Sequence, residues 1–310
     1  MRLGKAAAVV APVALAGALF FIAVRLGDPG RALAGIRALP LWVLAASLGL
    51  AMIYLGLKAW QLHLLLANLG IHPDWRKLGL AFAVGELALT LPFGIFAQNW
   101  VLARTGRAHF GETAAATVVM LLVEIVVVLL VLAIIGIQGW PTVRPLALVA
   151  AVGMCLLMVY VLHFEPAARR LAKRFRQPLV HRALTGAIDL LSGLKRLSNV
   201  HVLGINVVVA TAYLTALVVA FMLIGQHVGV PRFDFLMAAV TYSFALAVVF
   251  LTGGLVSQIG TVEVLGMSAA QAGFGIGYAE GLTLMLGFRA VWTGAIWICN
   301  LPIVALLWRG

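Results

Sequence analysis

Two long hydrophobic stretches of this chain, residues 78–103 and 235–275, are interrupted near their middles by proline, glycine and amide residues. Backbone that leaves a helix inside a bilayer finds no water for its N–H and C=O groups, so it persists only where protein or a wet cavity surrounds it. Paired interruptions in the two halves of a membrane protein indicate a substrate site. This pattern therefore predicts a transport protein.

The residues at the two interruptions fall into two chemical groups. The helix-breaking residues are Pro92 and Gly94 in the first stretch and Gly253, Gly254 and Gly260 in the second. The neutral polar residues are Gln98, Asn99, Ser257 and Gln258. Their amides and hydroxyl could bind a lipid headgroup through hydrogen bonds, or they could satisfy the backbone of the interrupted helices themselves.

Composition places the whole chain in a membrane. Of its 310 residues, 64% are hydrophobic and 10% are charged, whereas soluble domains are about one quarter charged. Apolar runs long enough to cross a ~30 Å hydrocarbon core cover residues 6–24, 41–62, 113–137, 146–163, 202–224 and 280–308. The sequence predicts an all-α polytopic membrane protein, a single domain over residues 1–310, with about six full transmembrane helices and two re-entrant helical hairpins.

The distribution of charge predicts an orientation. The longest polar segment, residues 164–200, is rich in Lys and Arg, and the positive-inside rule places it in the cytoplasm. The two hairpins then open on opposite faces, as in an inverted repeat with halves at about 41–163 and 201–308. Arg25, Arg31 and Arg37 fall in the predicted outer loop and count against this orientation. We expect a multi-pass protein of the bacterial inner (plasma) membrane.

Apolar residues within the basic segment recur at intervals of three and four between Val180 and Leu194. This spacing predicts an amphipathic helix lying in the membrane interface.

Ionisable side chains inside the apolar stretches are further candidates, because each costs at least ~2.5 kcal/mol at mid-membrane depth. Glu124 and Arg289 lie near the middles of their runs, so we expect them to pair with each other or to hold the opposing interrupted segment. A purely structural ion pair is the alternative.

The other ionisable residues have separate expected roles. Lys58 is expected to extend its ammonium group to the interface, and Glu280 is expected to favour a helix N-terminus. Glu263 precedes a predicted half-helix that it could cap, or it could meet a cationic headgroup. Glu86 completes this set of ionisable residues.

Several kinds of site are not indicated. Nucleophile–base arrangements and the Walker, Rossmann, GxSxG and HExxH patterns are missing from the sequence, so we predict no catalytic residue and no cofactor. Cys155 and Cys299 lie far apart in predicted spans and the histidines are isolated, which argues against a disulfide and a metal site. The net charge of +12 suits anionic lipid headgroups rather than nucleic acid, since the basic residues lie in short loops.

Three groups of residues carry a resemblance to a known family. They are Leu91-Pro92 with Gly94 and Arg104, then Leu122-Val123-Glu124, and finally Ile259-Gly260-Thr261-Val262-Glu263 with Arg289 downstream. Together they resemble the transmembrane domain of lysylphosphatidylglycerol synthases, a flippase-like family that also occurs as stand-alone membrane proteins. The third group is similar to the family's Gly-Gly-aliphatic-Gly-x-x-Glu motif, although Ser257-Gln258 replaces the glycine pair. Residues 95–98 also depart from the acid and later arginine that many members carry.

The resemblance covers about residues 5–308 and implies a two-halved bundle with re-entrant helices that moves a lipid between leaflets. The synthase activity belongs to a separate soluble aminoacyl-transferase domain. The chain ends at Gly310 without one, so we expect that it does not make lysylphosphatidylglycerol.

We expect the protein to translocate an anionic or zwitterionic lipid: an aminoacylated phospholipid, a polyprenyl-phosphate sugar or a hopanoid-type lipid. The expected path comprises Gln98, Asn99, Glu124, Ser257, Gln258, Glu263 and Arg289. Two alternatives stay open, namely a membrane-embedded lipid-modifying enzyme or glycosyltransferase subunit, and a non-catalytic scaffold of a lipid-synthesis complex. A homo-oligomer and a partner lipid-synthesis enzyme are both compatible with the sequence.

Overall fold

The computed structural model is built of α-helices. It describes Phe21 and residues 29–89, 94–105, 109–174, 177–228, 230, 232–251 and 258–308. These residues form twelve α-helices and one short 3-10 helix, Gly94–Phe96. The α-helices are α1 Pro29–Arg37, α2 Leu41–Asn68, α3 Trp75–Ala88, α4 Ala97–Thr105, α5 Phe110–Ile135, α6 Val143–Leu162, α7 Glu165–Arg174, α8 Pro178–Leu197, α9 Val200–Val228, α10 Phe235–Leu251, α11 Gln258–Phe274 and α12 Tyr278–Leu307.

Five of the described helices are long and apolar enough to cross a membrane, namely α2, α5, α6, α9 and α12. They coincide with five of the six spans expected from the sequence. The remaining one, residues 6–24, lies outside the described residues except for Phe21. The predicted all-α polytopic membrane fold is thus confirmed.

The first interrupted stretch forms a helical hairpin. Helices α3 and α4 pack against each other and contain 14 and 9 residues, so they extend only about 21 and about 14 Å, well short of a ~30 Å core. A Cβ on Gly94 would overlap the carbonyl oxygen of Ala88, so only glycine allows this close return of the chain. Pro92 lies outside the described residues.

The second interrupted stretch forms a matching hairpin. Helices α10 and α11 pack against each other, and each contains 17 residues, or about 26 Å. Gly260 in the first turn of α11 has a φ of 82°, a left-handed conformation that glycine adopts without steric cost. Gly253, Gly254 and Ser257 lie in the part of the chain that is not described.

The order of helices and their packing partners repeat along the chain. A long helix, two short helices and another long helix occur first as α2 to α5 and again as α9 to α12. Helix α3 packs on α12 while α10 packs on α5, α2 packs on α12 while α9 packs on α5, and α2 and α9 pack on each other. This exchange of equivalent partners is typical of two repeats related by a pseudo-two-fold axis. Buried apolar residues of both repeats belong to one continuous core.

The predicted amphipathic helix is present as α8, and its apolar side is directed toward protein. Leu191, Leu194 and Leu197 are buried, and α8 packs against α5. The approach is close, because a Cβ on Gly111 of α5 would lie 2.5 Å from the carbonyl oxygen of Gly186. The amphipathic spacing predicted an apolar face, whereas tertiary packing decided that α5 covers much of it.

Candidate functional site

A buried ammonium group lies at the centre of the bundle. Lys58 is only 3% exposed, and its Nζ lies 2.9 Å from the Tyr54 hydroxyl, 3.2 Å from Glu86 Oε1 and 3.3 Å from Glu124 Oε1. Three oxygen atoms thus surround a group that carries three protons. The expectation that Lys58 extends to the interface is wrong, because two buried carboxylates provide the counter-charge that water would otherwise supply.

Four helices position this group. Tyr54 and Lys58 are four residues apart and share one face of α2, Glu86 lies near the end of α3, and Glu124 lies in the middle of α5. Tyr213 on α9 donates a hydrogen bond of 2.6 Å to Glu124 Oε1. We call these five residues the lysine cluster. Sequence reasoning assigned no role to the two tyrosines. The spacing of Tyr54 from Lys58 was the one local signal for the first, and no local signal marked the second.

Glu263 and Arg289 form a second charge centre, the arginine pair. Arg289 Nε donates to Glu263 Oε1 at 2.8 Å, and Glu263 is buried. The other carboxylate oxygen accepts the backbone N–H of Gly260 at 2.7 Å, so Glu263 caps the first turn of α11 while it neutralises Arg289. Because α11 begins at Gln258, Glu263 lies within this helix and not before it.

The direct pairing of Glu124 with Arg289 that we expected from the sequence is wrong. Glu124 is paired with Lys58, and Arg289 with Glu263. The expectation rested on similar depth along two apolar runs, which does not determine which side chains face each other. Glu280, by contrast, lies exposed in the first turn of α12, where a carboxylate is stabilised by the helix dipole.

A chain of aromatic rings connects the two charge centres. The ring of Tyr54 packs on Trp292 at 5.4 Å, Trp292 stacks on Phe288 at 5.8 Å, and Phe288 packs on Tyr242 at 5.4 Å between centroids. Tyr242 lies within electrostatic range of Arg289. A run of packed aromatic rings thus extends from the lysine cluster to Tyr242.

The amides of the first hairpin are bound to the neighbouring span. Gln98 Nε2 donates to the Thr117 hydroxyl at 2.8 Å, and that hydroxyl donates to Asn99 Oδ1 at 3.0 Å. Both amides are buried, and Asn99 Nδ2 has no hydrogen-bond partner within the described structure. A Cβ on Gly85 would lie 2.9 Å from Gln98 Cβ, so glycine makes room for this arrangement. Gln98 and Asn99 therefore contact protein, while the Asn99 NH2 group makes no hydrogen bond to the described residues.

An apolar groove of about 240 Å³ lies between α5, α9 and α10. Val128, Leu214 and Leu246 contribute to its lining, together with Tyr242. Tyr242 also lies within electrostatic range of Arg289 and Glu263, so one lining residue of the groove is near the arginine pair. Its apolar lining suits a hydrocarbon chain.

Metal binding finds little support in this arrangement. Within the described ranges, no three His, Cys, Asp or Glu side chains are grouped so that they could hold a metal ion. Cys155 is exposed and Cys299 is half-buried, and both are free thiols.

Comparison with known proteins identifies one family. The family model described as the lysylphosphatidylglycerol synthase TM region matches residues 8–298. The match includes both hairpins, the lysine cluster and the arginine pair, and it confirms the resemblance that the three sequence segments indicated. Neither a curated protein nor a solved structure matches the chain.

Proposed function

The chain belongs to the family of lysylphosphatidylglycerol synthase transmembrane regions, and we propose that it moves an amphiphilic lipid between the two leaflets of a membrane. The family indicates a membrane protein with a lipid-related role. The observation that carries the proposal is the pair of interrupted hairpins, which place polar and charged side chains inside an apolar bundle. Interrupted helices at the interface of two repeats commonly bind transported substrates.

A polar headgroup that enters hydrocarbon loses its hydrogen bonds to water, at a cost of several kcal/mol. The arginine pair offers a match to a zwitterionic headgroup, since Arg289 suits a phosphate and Glu263 suits an amino group. The Asn99 NH2 group, which has no hydrogen-bond partner among the described residues, adds further donors. The lipid tail would lie in the groove lined by Leu214 and Leu246. Headgroup binding would then replace contacts that the side chains now make with each other.

We propose that the lipid leaves the protein chemically unchanged. The experiment is reconstitution of the purified protein in liposomes without nucleotide, with fluorescent analogues of a phospholipid, an aminoacyl-phospholipid and a polyprenyl phosphate. Dithionite quenching reports movement between leaflets. Arg289→Gln and Glu263→Gln should each slow movement about tenfold or more, which corresponds to at least ~1.4 kcal/mol in the barrier.

Glu280→Gln is the matched control, because Glu280 is an exposed carboxylate on the same helix as Arg289; it should retain the wild-type rate. If none of the three analogues moves faster than in empty vesicles, the scaffold alternative replaces this proposal. If mass spectrometry finds a covalently altered lipid, the lipid-modifying alternative replaces it.

We also propose that the protein resides in the inner membrane with residues 164–200 in the cytoplasm, because of their excess of Lys and Arg. Single cysteines at Ala183 in α8 and at Gln138 between α5 and α6, both exposed, test this in a background without Cys155 and Cys299. In right-side-out vesicles, an impermeant thiol reagent should label the cysteine at position 138 and should label that at position 183 only after permeabilisation. The reverse pattern would contradict the orientation.

A further inference from the structure

The charges of the lysine cluster do not balance. Two carboxylates, Glu86 and Glu124, share the single ammonium of Lys58, and all three side chains are buried. If both carboxylates were ionised, the cluster would hold one uncompensated negative charge, whereas the arginine pair holds one charge of each sign. An unpaired charge in a low-dielectric interior is unfavourable, and a buried acid responds by taking up a proton.

The contacts distinguish the two carboxylates. Glu124 accepts a hydrogen bond from Tyr213 and also pairs with Lys58. Glu86 contacts Lys58 as its one charged or hydrogen-bonding partner in the described part of the chain. Because hydrogen-bond donors stabilise an ionised carboxylate, Glu86, which has fewer donors around it than Glu124, is the better site for a proton.

We propose that the lysine cluster is a proton-binding site and that its proton couples lipid movement to a pH gradient, the coupling resting on the function proposed above. A proton from one side of the membrane binds the Glu86 carboxylate to give the neutral acid, and the same O–H bond breaks when it leaves to the other side. No other bond changes.

The groups that face Glu86 come from several elements. Lys58 and Tyr54 face it from α2, Glu124 from α5 and Tyr213 from α9. Helices α4 and α12 also pack on α3, and the charged residue at mid-depth of α12, Arg289, is directed to Glu263. The proton site therefore depends on one cation, one second acid and two phenols.

The cluster also lies where the two repeats meet. Lys58, Glu86 and Glu124 belong to the first repeat and Tyr213 to the second. Movement of one repeat against the other would change the hydrogen bond from Tyr213 to Glu124, and hence the stability of the ionised carboxylate and the affinity of the cluster for a proton. This dependence would link proton binding to the conformation of the bundle.

Infrared spectroscopy of the purified protein at neutral pH counts the protonated carboxyl groups directly. A buried protonated carboxyl has a C=O stretching band that shifts in D2O. We expect one such acid in the wild type and none in Glu86→Gln. None is expected in Glu124→Gln either, because Glu86 must then ionise to balance Lys58. Lys58→Met should contain two, and the exposed control Glu280→Gln should contain one.

A wild-type protein without the band would overturn the proposal, as would a band that persists in both glutamine variants. Loss of folding in Lys58→Met would not remove the test, because Glu86→Gln replaces a neutral acid by a neutral amide of the same shape.

The coupling is tested in liposomes with a pH difference of one unit across the membrane. Such a pH difference can change the rate of lipid movement by a factor of up to about ten. The wild type should therefore move lipid several-fold faster with the gradient than without it. Glu86→Gln should move lipid at one rate under both conditions. If the wild type moves lipid at the same rate with and without the gradient, the coupling alone is overturned. Absence of lipid movement under every condition would overturn the proposed function and the coupling together, while the infrared count decides the proton site separately.

Discussion

The Tyr213 hydroxyl on α9 donates a hydrogen bond of 2.6 Å to the Glu124 carboxylate on α5, and the two residues are 89 positions apart in the chain. This short distance between the two oxygen atoms is typical of a hydrogen bond to an ionised acceptor. Glu124 in turn holds the ammonium of Lys58 on α2. One hydrogen bond therefore joins the second repeat to the charged centre of the first.

Removal of this hydroxyl should destabilise the protein. Tyr213→Phe leaves a buried carboxylate with one donor fewer, so the free energy of unfolding should fall by about 1–2 kcal/mol, measured by thermal unfolding in detergent. Tyr160→Phe is the control, because Tyr160 is an exposed tyrosine on α6, and it should change stability by less than about 0.5 kcal/mol. Equal effects of the two changes would show that the hydrogen bond contributes nothing.

Charge partners can be assigned by double-mutant cycles. Glu263→Gln and Arg289→Gln should together cost less than the sum of the single changes by about 0.5–3 kcal/mol, because each single change removes the same ion pair and leaves one of its two charges in the protein. Glu124→Gln combined with Arg289→Gln should be additive to within about 0.5 kcal/mol. Coupling in the second cycle as large as in the first would mean that Glu124 and Arg289 interact directly after all.

The fit of the first hairpin can be tested with two glycines of α3. A methyl group at Gly85 would push Gln98 away from Thr117, so Gly85→Ala should lower stability by about 1–3 kcal/mol through overpacking. At Gly79 an added Cβ meets nothing within 4 Å, and Gly79→Ala should be neutral or stabilise the helix by up to ~1 kcal/mol. Thermal unfolding of both variants in detergent measures these stability changes. A stable Gly85→Ala protein would contradict the observed packing.

The turn at the second hairpin depends on backbone conformation. Gly260→Ala places a Cβ on a residue with a φ of 82°, which costs about 1–2 kcal/mol, and it should also displace the N–H that binds Glu263. We therefore expect both lower thermal stability and slower lipid movement in liposomes. Gly204→Ala on α9, where nothing lies within 4 Å of an added Cβ, should neither lower the stability nor slow lipid movement. Wild-type behaviour of Gly260→Ala would show that the left-handed turn is dispensable.

Much of the architecture was predictable from local sequence. Five spans and both hairpins appear at the expected places, because the length of an apolar run and the positions of glycine and proline act within a few residues along the chain. The family was likewise recognised from three short segments of the sequence. Glu124, Glu263 and Arg289 could be selected because a charge inside an apolar run is unfavourable without a partner.

Only the tertiary structure decided which charged residues form ion pairs with each other. Lys58 was expected at the interface, yet it lies between Glu86 and Glu124, and Arg289 pairs with Glu263 on α11. Depth along a helix can be counted from sequence. The neighbour across a helix interface depends on the order of helices around the bundle and on the face that each turns inward, and both are set by packing between residues distant in the chain.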